Sequence, residues 1–142
     1  MKTNRIRWSL LAFTAAVLSA GAARSFAEKL TAEVPFKFQV QDQQFPPGEY
    51  TISDLPGASG THVLLLRNWE ARKSTLVLPR SLEANSGASR ARMVFKCRDG
   101  NCALSEIWGA TAGGGITVQP PREYEHAERT SFVYLTRQKS GH

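Results

Sequence analysis

After residue 27 charge of one sign never accumulates in this chain, and in the whole chain histidine occurs three times and cysteine twice. Each scarcity bounds what the protein does. A nucleic-acid binder gathers Lys and Arg into a basic footprint, whereas acidic and basic residues are interspersed here. Most of the formal charge of +6 comes from one end. Lys2, Arg5, Arg7 and Arg24 lie in the first 27 residues, which hold no acid. The other 115 residues carry 14 basic against 12 acidic side chains, a net +2.

Catalytic and cofactor signatures are also missing. There is no Gly-x-Ser-x-Gly elbow to serve His62, His126 or His142. Gly113-Gly114-Gly115 lacks the Lys-Ser/Thr that completes a phosphate-binding loop, and reads as a loop able to border a binding site. Glu123 and His126 share one face if a helix forms there, but two ligands do not make a structural zinc site. No metal and no cofactor is expected. His62 reads as a strand start and His126 as a solvated surface.

What is present begins with an export signal. A basic start is followed by an uncharged run of small and apolar residues, 9–23, and by Ser25-Phe26-Ala27, small at both positions a signal peptidase reads. The run is shorter than the roughly 20 residues of a membrane span. Residues 1–27 are therefore expected to be a signal peptide, and 28–142 a single β-rich exported domain, periplasmic or secreted, beginning at Glu28. Stable membrane insertion after signal removal is not expected. No cysteine adjoins the cleavage site, which argues against a lipid anchor.

Residues 34–52, VPFKFQVQDQQFPPGEYTI, look like the organising stretch. Val34, Phe36, Phe38 and Val40 alternate with Pro35, Lys37, Gln39 and Gln41, the period of a strand with one buried face. Asp42-Gln43-Gln44 breaks the pattern, Phe45-Pro46-Pro47-Gly48 forms a stiff turn, and Glu49 starts a second strand.

VPFKFQV, a short polar link and FPPGEY together resemble a group of small exported proteins of unknown function common in acidobacteria. Their pattern is an aliphatic residue, then Pro-Phe-x-Phe-x-Val, then Leu-Pro-x-Gly-x-Tyr. Phe45 stands where the group more often has leucine. LSEIW at 104–108 and a Pro…Glu-Arg segment near the C-terminus also match. The resemblance covers most of the chain after residue 27. It implies a compact exported β-domain and carries no activity to transfer. The paired cysteines and the triple glycine are not features of the group.

Further along, 62–67 and 74–78 read as strands joined by NWEARK, which carries Trp69. Residues 55–60 and 82–90 are connections. Residues 116–118 form a short edge strand, 122–129 the one helix, and 130–137 the last strand. The sum is an all-β antiparallel sandwich or partly open barrel of about seven strands with one short C-terminal helix.

Residues 91–108 form the clearest hairpin, turning at Asp99-Gly100. That register sets Cys97 opposite Cys102, in a close non-hydrogen-bonded pair about 4.5 Å apart at Cα. A disulfide is expected between them, pinning the register. The same register sets Phe95 opposite Leu104 and Met93 opposite Glu106, which puts a carboxylate on a buried face at considerable cost. Three arrangements relieve it: a bulge near Ser105 turns Glu106 outward, Arg90 or Arg92 pairs with it, or it lines a polar pocket. Trp69, Trp108, Tyr50, Tyr124 and Tyr134 are candidates for an aromatic sugar platform or for ordinary packing.

A non-enzymatic exported β-domain with a binding, scaffolding or envelope-interaction role follows, with an unknown protein or small-molecule partner. The candidate ligand-binding residues are Glu106, Trp108 and Trp69. The alternatives are a carrier of a small apolar or carbohydrate ligand in a barrel mouth and, more distantly, an envelope hydrolase.

Overall fold

The computed structural model describes residues 29–56, 61–84, 90–111 and 114–138. The expected signal peptide, its cleavage site, Gly113 and His142 lie outside the described residues.

Two sheets form an all-β sandwich that does not close into a barrel. The first has five strands: β1 (Lys29–Val34), β4 (Gly48–Pro56), β5 (His62–Asn68), β6 (Lys73–Val77) and β12 (Thr136–Arg137), in the order β12-β1-β4-β5-β6. The second follows the path β11 (Arg129–Tyr134), β8 (Arg92–Arg98), β9 (Asn101–Thr111), β10 (Gly114–Thr117), β7 (Ser81–Ala84). Two short strands, β2 (Phe38–Val40) and β3 (Gln43–Phe45), join it through β9.

The stretch 34–40 is not one strand. It breaks at Pro35-Phe36-Lys37, where proline cannot donate to a ladder, and the chain crosses from the first sheet to the second. The alternation survives the break. Val34, Phe38 and Val40 are buried, Phe36 is half-buried and Lys37 is exposed. Phe38 becomes the centre of the core, with ring centroids at 5.6 Å from Phe45, 5.0 Å from Tyr50 and 5.2 Å from Phe95. The crossover thereby ties the two sheets together.

The polar link also differs from expectation. Gln43 and Gln44 belong to β3, paired antiparallel with β2. Backbone pairing needs no apolar side chain at an edge, so hydrophobic alternation does not report it. Among the described residues there are twelve strands rather than about seven: β3 and β7 are exposed strands of this kind, and the stretches expected as single strands over 34–40 and 130–137 each divide in two. The helix expected over 122–129 is a 3-10 turn of three residues, Arg122–Tyr124. Its backbone bonds end at Glu125, and Glu128 N–H instead donates to the Cys97 carbonyl.

The FPPGEY turn is locked from two sides. Tyr50 is fully buried, and its hydroxyl donates to the carbonyl of Pro46 four residues upstream. Burial pushes the Tyr50 hydroxyl above its ordinary value, a push partly opposed by hydrogen bonding to Asn68. Gly48 has φ +148°, and a Cβ there would sit 3.0 Å from Asn68 Nδ2. Glycine is needed at that approach.

Candidate functional site

The outer face of the second sheet takes its shape from one irregularity. Phe95 pairs with Leu104, as the hairpin turn dictates, but Val94 pairs with Glu106. Ser105 is the extra residue of a β-bulge. Its hydroxyl donates to the Val94 carbonyl at 3.1 Å, and its own carbonyl accepts from Val118 N–H at 2.7 Å. Beyond the bulge the faces of β9 exchange. Ile107 pairs with Met93 in the core, and Glu106 and Trp108 turn outward.

Glu106 therefore escapes burial by the bulge, and no arginine is needed. Its carboxylate accepts Trp108 Nε1–H at 2.6 Å. The indole lies against β10, where Gly115 leaves room for it. Beside it the Arg92 guanidinium stands 5.8 Å from the centroid of Trp108 and 5.8 Å from that of Phe132. Arg90 covers Tyr134 at 4.7 Å. Phe132 and Tyr134 alternate along β11 and stay about half exposed, 54% and 53%. The face thus carries a strip of rings interleaved with guanidinium groups, an attractive pairing of cations with ring faces. Arg92 Nε is buried and has no hydrogen-bond partner.

A shallow depression of about 300 Å³ adjoins the strip, lined by Arg80, Ser81, Lys96, Glu106, Thr117 and Pro120 among others. Ser81 and Thr117 hydroxyls bridge β7 and β10 at 2.5 Å.

Of the three candidate ligand residues, the structure brings Glu106 and Trp108 together and leaves Trp69 apart, at the β5–β6 turn of the first sheet. Tyr50 and Tyr124 are buried and present no open ring face. Phe132 is the residue the sequence reading overlooked. Its signal was available: Phe132 and Tyr134 stand two apart in TSFVYLTR, hence on one face of a strand.

Cys97 and Cys102 form the expected cross-strand pair at the hairpin tip, with sulfurs 2.07 Å apart and Cα atoms 4.0 Å apart. The closed loop is short, so the bond contributes about 2 kcal/mol and pins register.

His62 Nδ1 lies 2.8 Å from Asp54 Oδ2 across the β4–β5 pair. Among the described residues no hydroxyl or thiol hydrogen-bonds to that ring. His126 and Glu123 are exposed beyond and within the 3-10 turn, so the helical spacing invoked for them does not exist. Among the described residues no helix is long and apolar enough to cross a membrane.

Comparisons of the chain with family models, with curated proteins and with solved structures return no match.

Proposed function

We propose that the protein is a non-enzymatic exported binding domain that holds an extended envelope glycan on the outer face of its second sheet. One observation carries the proposal: the half-buried Arg92 guanidinium stands between Trp108 and Phe132, 5.8 Å from each ring centroid. Its Nε is shut off from solvent, but the planar fork carries further N–H donors that can meet a ligand oxygen. Exposed ring faces beside it suit the apolar C–H faces of sugars, which are amphipathic in the same way. The neighbouring depression adds hydroxyls, two cations and one carboxylate for polar contacts. The resemblance to small exported β-proteins and the expected export signal support an envelope setting for such a domain.

A strip on an open sheet suits a polymer better than a carried small molecule. The space between the sheets is filled by Phe38, Phe45, Tyr50, Phe95 and their neighbours.

Affinity electrophoresis through gels containing soluble bacterial envelope polysaccharide tests the proposal. The wild-type chain is retarded, the Phe132→Ala/Tyr134→Ala chain is not, and Trp69→Ala behaves as wild type. Equal mobility of wild type and double variant at every polysaccharide concentration overturns it.

A further inference from the structure

A second, separate surface sits at the tip of the β5–β6 hairpin. Its turn is held by Asn68, which is buried and accepts Ala71 N–H on Oδ1 at 2.9 Å. Arg72 adopts φ +53°, and its N–H reaches the Trp69 carbonyl at 3.4 Å. The turn therefore presents its side chains from a fixed backbone. Trp69 is 64% exposed, more than any other large apolar side chain among the described residues. Arg67 lies 4.4 Å over its ring. Lys73 donates to the Gln44 carbonyl at 2.9 Å, which joins the tip to the β2–β3 hairpin.

Arg67, Arg72, Lys73 and Ser74 line, with Trp69 and Asn68, a depression of about 220 Å³. Three cations thus converge on one opening, against a single acid in the turn, Glu70. None of the three is in an ion pair among the described residues. Lys73 and Arg67 are held by neutral partners, a carbonyl and an indole ring, that leave their charge uncancelled, and cations gathered at an opening attract an anion. An exposed indole at its lip is an interfacial anchor, since tryptophan settles at the headgroup level of a bilayer.

We propose that this tip docks on anionic phospholipid headgroups. The phosphate sits among Arg67, Arg72 and Lys73, and Trp69 enters the interface without any strand or helix crossing the membrane. Charge complementarity selects the occupant: a zwitterionic surface offers no net attraction to the cations, and a free anion leaves the indole in water.

Tryptophan emission decides it. The full wild-type chain and Trp69→Phe are each titrated with phosphatidylglycerol/phosphatidylcholine vesicles and with phosphatidylcholine vesicles. The difference between the two chains isolates Trp69 from the other tryptophans and from any contribution of the apolar N-terminal segment. A blue shift of that difference on the anionic vesicles alone, reversed by salt, is expected. Arg72→Glu reverses one charge and should raise the half-saturating lipid concentration roughly thirtyfold, with an unchanged melting temperature. Absence of the shift, an equal shift on both vesicle types, or indifference to Arg72→Glu overturns the proposal. So does full suppression of the shift by millimolar inorganic phosphate at constant ionic strength, which would make the site one for free anions.

Discussion

Trp108 lies across Gly115: a Cβ at position 115 would meet the indole atoms Cδ2 and Cε3 at 2.5 Å. The two residues pair directly across β9 and β10. The glycine is what lets the ring lie down on the sheet, within reach of Glu106 and Arg92.

Gly115→Ala should therefore lift the indole and break its bond to Glu106. Overpacking of this kind costs about 1–3 kcal/mol. The expected outcome is a lower melting temperature together with red-shifted emission from Trp108, read in a Trp8→Phe/Trp69→Phe background. An unchanged emission spectrum would mean that the ring does not rest on residue 115.

Phe38→Ala should destabilise the fold by about 3–5 kcal/mol, as truncation of a buried phenylalanine does. Lys37→Ala, on the exposed side of the same stretch, should change stability by less than about 0.5 kcal/mol. Denaturant melts compare them. Similar losses in both variants would contradict the face assignment.

Tyr50 makes stability depend on alkaline pH. Burial raises its folded value above the ordinary 10.0. The folded state then keeps a proton that the unfolded state gives up, so stability is full below about pH 10 and falls as pH rises from there through the folded value. Tyr50→Phe should flatten that alkaline fall while lowering stability at neutral pH through the lost bond to Pro46. Melting temperatures from pH 8 to 11 test it; parallel curves for wild type and variant would remove Tyr50 as the titrating group.

Side-chain patterning in the sequence announced the sandwich, the hairpin at Asp99-Gly100 and the Cys97–Cys102 pair. Alternation reports burial, and a two-residue turn fixes register by geometry. It stayed silent on β3 and β7, because edge strands such as Gln43-Gln44-Phe45 are held by backbone bonds and expose their side chains. The bulge near Ser105 was legible as one of three remedies. A carboxylate at 106 on a buried face demanded a remedy, and the choice among remedies depended on Ser105 bonding to Val94, a tertiary detail. The strip was half legible: Phe132 and Tyr134 share a face by period, but nothing local says that β11 lies beside β8 and so brings Arg92 to Phe132.

If the Phe132–Arg92–Trp108 strip binds a glycan, Arg92 is the residue whose replacement shows it most directly. Arg92→Lys keeps the charge but loses the planar group held between two rings. The retardation constant of Arg92→Lys in polysaccharide gels, measured beside a melting curve for the same protein, is the decisive number. Glycan binding by the strip gives about tenfold weaker retardation of the variant, corresponding to roughly 1.4 kcal/mol, in a chain that melts within a few degrees of wild type. Retardation equal to wild type in that folded variant would contradict it.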